Sequence, residues 1–526
     1  MACAAGVLLL ALLTALVPAG RRPFWSSDEA RFALLAQDVL DHGHWVVAEL
    51  RGQSYLNKPQ LFFWAVAGVS WPFGRVTEWS AALPAVLSSV ASTAGVIAVG
   101  RLLWGWPAGL LAGLILITTP LNFEMSHQVL PDVMLNAWLV WALYWFVRAE
   151  RSGWGRGPLA GFYACVAVGL LCKGPQALAG LAAAVAAVAA TDGVAALRKL
   201  RLLPGVGLIV AVAGLVWLVP YQTHSQGAFQ EKVVTGHYAT WYFLGSLRAR
   251  VSALFEPIMA FLPWTVLLAA APWWWRSARD PARRRLVVWT LTLWVLSALS
   301  GNYRSRYMLP VFPGLALLTA ELLTAPMSAA AARARDVALR ACGVLLAVAA
   351  VATLFPVGAL LNNEDVAYVP TGGWERVALA MLAALACAGL LRATRGDRTQ
   401  GAVALGLGLA AILLVIGVTY PIRYARDFDV RPLAAAALAS LGPDGAVIGY
   451  PDLRLSYDVY LRHRRVVEVR DVQAVQARVG TAPRDAFIMT AGRWQALAPG
   501  AHPAWGVLAT ARVGDRTMVA VGGSRP

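Results

Sequence analysis

Charge is scarce in this chain, and most of it has one sign. Only 14% of the 526 residues are charged, with 28 acids against 45 Lys and Arg. A soluble protein of this length needs several cores under a charged surface. With 59% hydrophobic residues, the composition instead belongs to the integral membrane class. Cysteine is also sparse. Cys3, Cys165, Cys172, Cys342 and Cys387 all lie in apolar runs, and none has metal-ligand spacing. That pattern excludes a disulfide framework and a cysteine zinc site. There is no repeat of solenoid length. No basic face carries interleaved aromatic platforms, so the net charge of +17 does not indicate a nucleic-acid partner.

What is present is a succession of about thirteen apolar stretches. They fall near 3–20, 80–102, 106–120, 131–149, 158–172, 175–191, 204–221, 257–275, 286–300, 307–324, 337–361, 374–392 and 400–420. Several are shorter than the ~20 residues a spanning helix needs and are expected to extend into their flanks. The 22 Trp suit interfacial aromatic belts. Residues 1–20 lack a basic region before their apolar stretch, and Arg21-Arg22 follows it, so a retained span is expected rather than a cleaved signal.

Every second loop is basic. The set runs Arg148, Arg151, Arg156; Arg198, Lys199, Arg201; Arg276, Arg279, Arg283, Arg284, Arg285; Arg333, Arg335; and Arg392, Arg395, Arg398. The loops at 121–130 and 362–373 contain no Lys or Arg. The positive-inside rule then puts the basic loops in the cytosol. The first loop (21–79), the 222–256 loop and the C-terminal tail fall outside. A bacterial cytoplasmic membrane location, with the active site and tail on the extracytoplasmic side, is the expectation.

Two helices are predicted within the first loop, both lying in the interface. Glu29–Leu40 puts Phe32, Leu35, Ala36 and Val39 on one stripe. Leu61–Trp71 is short, apolar and preceded by Pro59. Beyond residue 424 the composition turns soluble. Strand-like runs occur at 446–449, 465–469, 486–490, 505–510 and 517–521, and helical ones at 430–440 and 472–479. The expected organisation is a transmembrane domain over 1–424 and a small extramembrane α/β domain over 425–526. Asp452 and His463 in that tail read as surface residues.

The chemistry concentrates in the outer loops. Asp28 and Glu29 follow the first span, with Arg31 three residues from Asp28. Capping by Ser26 or Ser27, with acids in the first turn, competes as an explanation. As a functional group, Asp28 is a candidate general base. Tyr55, Asn57 and Lys58 form a second group, in which Lys58 is either a snorkelling side chain or a phosphate ligand with Arg31. Asp132, a second catalytic candidate beside Asp28, follows Pro131 and suits a helix start equally well. Lys173 sits in Cys172-Lys173-Gly174-Pro175, where a lone cation is costly without an anion. Arg304 and Arg306, beside Tyr307, break the positive-inside trend in an outer loop. A phosphate or pyrophosphate explains them, and lipid headgroups compete. His237, with His224 in the same loop, is a low-ranking metal candidate.

In order along the chain, the motifs are Asp28-Glu29-Ala30-Arg31-Phe32, Tyr55-Leu56-Asn57-Lys58-Pro59, Leu130-Pro131-Asp132, Lys173-Gly174-Pro175, Phe261-Leu262-Pro263-Trp264 and Arg306-Tyr307-Met308-Leu309-Pro310-Val311-Phe312-Pro313. Together they resemble the polyprenyl-phosphate-dependent glycosyltransferases of the membrane GT-C class, over roughly residues 1–420. Bacterial aminoarabinose transferases that modify lipid A and protein O-mannosyltransferases are the most similar members. The resemblance implies an inverting transfer from a polyprenyl-phosphate-linked sugar to a lipid, glycan or protein acceptor. Asp28 would be the base. Arg31, Lys58 and Arg306 would hold the lipid phosphate, with Asp132 and Lys173 lining the cavity. Glu29, Tyr55, Asn57, Arg304 and Tyr307 are expected to contact substrate. Asn57 stands where the family usually has a Glu that helps bind metal with a loop histidine. Asn is a poor zinc ligand, so no required cofactor is expected and a divalent metal is at most auxiliary. A lipid-linked sugar flippase or exporter is the alternative, and it would carry charge deep in the membrane.

Overall fold

The computed structural model describes residues 2–24, 26–225, 229, 233, 247–272, 274, 280–300, 303–352, 372–393, 398–442, 445–450, 453–461 and 466–523. His237, Asp452 and His463 lie outside them. Each of the thirteen apolar stretches overlaps a helix. Among the described residues, six helices are long and apolar enough to cross a membrane: Glu78–Trp104, Pro175–Asp192, Leu202–His224, Ser305–Thr324, Gly373–Leu390 and Thr399–Phe428. The helices that begin the chain are α1 (Ala2–Leu16), α2 (Ser27–His42), α3 (Leu61–Ser70), α4 (Glu78–Trp104), α5 (Trp106–Ile117), α6 (Pro120–Met125), α7 (Pro131–Arg151), α8 (Arg156–Lys173) and α9 (Leu178–Asp192).

Packing is most extensive between α7 and α8, between the helices Gly373–Ala393 and Arg398–Phe428, and between α4 and both α5 and α7. Helices α4 and α5 touch at Gly100 and Gly109, where a Cβ on Gly100 would lie 2.6 Å from the Gly109 Cα. Only glycine permits that approach. Two arginines counted as cytosolic markers, Arg283 and Arg335, are buried. Arg283 stacks on Trp274 at 4.3 Å and donates to Glu321 at 2.5 Å.

In the first loop, α2 is closed at both ends. The Ser26 hydroxyl accepts from the Glu29 amide, and Glu29 accepts from the Ser26 amide in return, a capping box. At the other end Gly43 is left-handed, φ 70°, and ends the helix. The predicted stripe of Phe32, Leu35, Ala36 and Val39 is buried, with α2 packed on α3 and α3 on α4. Strands β1 (Glu49–Leu50) and β2 (Gln53–Ser54) form a small antiparallel hairpin between α2 and α3.

After the helix Arg398–Phe428, the chain builds a five-stranded mixed sheet from β3 (Val447–Gly449), β4 (Val466–Glu468), β5 (Ala486–Thr490), β6 (Trp505–Val513) and β7 (Arg516–Gly523), in the order β4-β3-β5-β7-β6. Strand β3 runs parallel to β4 and β5, and β7 is antiparallel to β5 and β6. Side-chain alternation buries both faces. Val447, Ala486 and Ile488 pack with helix Arg431–Ser440 on one face; Ile448, Phe487 and Met489 pack with Val472–Val479 on the other. This sheet docks on the first loop. Arg51 at the β1–β2 turn pairs with Asp458 at 2.6 Å and Glu468 at 2.5 Å. The Tyr460 hydroxyl donates to Glu78 and accepts from the Phe24 amide.

Candidate active site

Five element ends converge. Asp28 comes from the first turn of α2, Lys58 from the segment before α3, and Asp132 from the first turn of α7. Lys173 comes from the last turn of α8, and Arg306 with Tyr307 from the 3-10 turn Ser305–Val311. The sequence puts a proline or glycine beside several of these ends: Pro59 precedes α3, Pro131 opens α7, and Gly174-Pro175 closes α8.

Asp28 lies between two guanidinium groups. Arg31 Nη1 donates to its Oδ1 at 2.5 Å, and Arg306 Nη2 donates to its Oδ2 at 2.6 Å. Burial acts to raise the Asp28 pKa, but Arg306 and then Arg31 outweigh it and hold the carboxyl below its usual value. The competing explanation, capping, is met by Ser26 and Glu29 and needs nothing from Asp28. Arg306 also faces Asp132, Nε to Oδ2 3.8 Å. Asp132 is 3% exposed and accepts from the Lys173 ammonium. Lys173 rests over the Tyr307 ring, 4.2 Å from its centroid.

Lys58 joins the group from the side. Its backbone carbonyl accepts from the Tyr221 hydroxyl at 3.0 Å, and Gln60 two residues on donates to the Val216 carbonyl. The helix Leu202–His224 therefore grips this segment. Burial, reinforced by Lys173, pushes the Lys58 ammonium down to about 7. Tyr55 is buried against Arg31, and burial pushes its hydroxyl up to about 12. A cavity of about 540 Å³ opens beside these groups, lined by Lys58, Lys173, Tyr307, Arg250 and Gln176, two serines and apolar side chains.

The remaining expected residues sit differently. Glu29 is 1% exposed and faces away, accepting two bonds from Arg22 at 3.0 Å and one from the Val129 amide at 2.9 Å. Its place is structural, not substrate-facing. Arg304 is exposed at the start of its turn, and Asn57 is half-buried beside Lys58. Four residues escaped the sequence reading: Arg22, whose Nε donates to Tyr420, His127, which meets the Tyr420 hydroxyl at 2.5 Å, Tyr420 itself, and Arg51. The one signal for the first was a double arginine at the outer end of α1.

Known proteins resemble this chain in sequence and in fold. Residues 57–218 match the family model described as dolichyl-phosphate-mannose-protein mannosyltransferase. An undecaprenyl phosphate-alpha-4-amino-4-deoxy-L-arabinose arabinosyl transferase of Yersinia enterocolitica is 27% identical, over 61% of this chain and 59% of that protein. The similarity thus spans about three fifths of that relative's length. The like-named protein of Yersinia pestis is 27% identical over 72% of this chain and 70% of its own. The crystal structure of ArnT from Cupriavidus metallidurans bound to undecaprenyl phosphate superposes with a TM-score of 0.80 at 21% identity, covering 98% of this chain and 97% of that one. The apo structure of that protein gives 0.78 at 22%. The fold is that of the GT-C class, mostly helical with a small C-terminal sheet. The resemblance expected from the ordered motifs is shown.

Proposed function

We propose that this chain, with its GT-C fold, is a membrane glycosyltransferase taking a sugar from a polyprenyl-phosphate donor to a hydroxyl acceptor of lipid, glycan or protein. The observation that carries this reading is the Asp28 carboxylate held by Arg31 and Arg306, beside a cavity lined by Lys58 and Lys173. An anionic donor headgroup fits those four cations. The named relatives use undecaprenyl phosphate as carrier, and one solved neighbour binds it.

In this reading the donor phosphate competes with Asp28 for the two arginines. Its arrival loosens their hold on the carboxylate, which then accepts the proton of the attacking hydroxyl. The hydroxyl oxygen bonds to the anomeric carbon as the bond to the phosphate oxygen breaks. One displacement inverts that carbon, and Arg31, Lys58 and Arg306 neutralise the released phosphate. Asp132 and Tyr307 hold Lys173 in place. With fixed cations on the leaving group and Asn57 in place of a carboxylate, transfer needs no metal and persists in EDTA.

The thirteen apolar stretches are taken as spans, with residues 425–526 forming a separate domain on the extracytoplasmic side. Gln476 is exposed on that domain. A Gln476→Cys variant should react with an impermeant maleimide in spheroplasts, and labelling only after lysis would reverse the orientation. The test of function is the purified chain incubated with a panel of polyprenyl-phosphate sugars and envelope acceptors, analysed by mass spectrometry. Turnover names both substrates. Donor binding without any transfer across the panel would favour a transporter.

A further inference from the structure

We infer that Asp38, His42 and His44 form a binding site for one divalent transition-metal ion of the zinc class, at the end of α2 opposite Asp28. Ten residues of helix place it roughly 15 Å along the axis from Asp28, and the inference does not rest on the transferase reading.

The three residues are arranged by backbone geometry. Asp38 and His42 are four apart on α2 and so share a face. The left-handed Gly43 then ends the helix and turns the chain back, which brings His44 to the same side. The ligand atoms of the three side chains all lie within 4.8 Å of one another. His42 Nδ1 is 2.9 Å from Asp38 Oδ1, and His44 Nδ1 is 3.0 Å from Oδ2. The two imidazoles stack with centroids 5.5 Å apart. In a tetrahedral zinc site with ligand bonds near 2.1 Å, neighbouring ligand atoms stand about 3.4 Å apart. The two histidine–carboxylate spacings are about half an ångström shorter than that and no pair of ligand atoms exceeds 4.8 Å, so side-chain rotations within the cluster would bring the three onto one ion.

The surroundings match a metal site rather than a packed histidine pair. Asp38 is 8% exposed and is anchored by the Glu49 amide, which donates to Oδ2 at 2.7 Å. Such an outer bond orients a ligating carboxylate. The two imidazoles remain open to solvent, His42 at 58% and His44 at 38%. An ion can therefore enter and complete its shell with water. Two neutral nitrogens and one carboxylate are a zinc-type donor set, which the oxygen-seeking Ca²⁺ and Mg²⁺ do not favour. Because Glu49 opens the β1–β2 hairpin, a bound ion would tie the end of α2 to the strand that carries Arg51 to the C-terminal sheet.

The experiment uses the full-length chain in detergent, purified without a histidine tag and stripped with EDTA. It is dialysed against Zn²⁺ or Co²⁺, with uptake, Co²⁺ absorption and thermal midpoint as readouts. The wild type should take up one saturable equivalent, show tetrahedral Co²⁺ bands and melt higher with Zn²⁺. His42→Ala, at an exposed position, and His44→Ala, at a half-buried one, should each bind at least tenfold more weakly, and the double variant should lose the equivalent and the thermal shift. Ca²⁺ and Mg²⁺ should not protect. No saturable uptake by the wild type, or equal uptake by the folded double variant, overturns the site.

Discussion

Asp28 and Glu29 are adjacent acids on one turn of α2, yet they meet opposite surroundings. Asp28 faces two arginines in the cluster whose Lys58, Lys173 and Tyr307 line the cavity, and its partners are ones a phosphate can take over. Glu29 faces inward to Arg22, the Val129 amide and its own helix cap, and is closed to substrate. One side of the turn holds charge that is available for exchange; the other holds charge that is fully committed. Since α2 turns by about 100° per residue, two neighbouring carboxylates suffice to build both. The closed side also sets the open side. By fixing the start of α2 and the backbone of Val129, Glu29 ties Asp28 to the segment that leads into Asp132.

The sharpest way to break this contrast is to neutralise each acid in turn. Asp28→Asn should leave folding intact and lower transfer about 10²–10⁴-fold, the usual reach of a general base. Near-normal turnover by the purified variant removes Asp28 from the chemistry. Glu29→Ala should act on stability instead, by about 3–5 kcal/mol, because it leaves Arg22 buried without its partner. Arg22→Met combined with Glu29→Leu should regain much of that loss in a thermal melt. If Glu29→Ala melts like the wild type but fails only in transfer, the two acids share one function and the comparison collapses.

Smaller effects test the cations. Lys58→Ala and Arg306→Ala should each weaken donor binding by about 1.5–3 kcal/mol, roughly tenfold or more, with acceptor affinity less affected. Unchanged donor titrations in both would move the phosphate site elsewhere. The smallest effect is in pH. The Lys58 ammonium, held near 7, is charged below that pH and neutral above it. Donor KM should therefore rise from pH 6 to pH 8. Lys58→Arg keeps its charge throughout that range and should flatten the profile; the same slope in that variant rules out Lys58 as the titrating group.

The candidate site was largely legible in the sequence because its residues violate local expectations. Arg306 breaks a charge rule, Lys173 interrupts an apolar run, and Asp28 exceeds what a cap requires. The five strands of the C-terminal sheet were legible from β-type runs between turn residues. What escaped depends on pairing across distance. Arg22 reads locally as the flank of a span, and its partner Tyr420 lies 398 residues away. Arg283 reads as a cytosolic marker until Glu321 is seen against it. Asp38, His42 and His44 were within reach, since their spacing is short, but a helix reading stopped at Leu40 splits them.

The strap from Arg51 to the C-terminal sheet also has a meaning in time. Arg51 and Glu468 are separated by 417 residues. At synthesis rates of about 5–20 residues per second, roughly 20–80 seconds pass between making one and making the other. During that interval the hairpin preceding Lys58 has no domain to hold it, although the helices around it are already being laid into the membrane. The newborn protein passes through a stage with a bundle but no fastened loop. A cell that stalls the ribosome before residue 468 would hold it there.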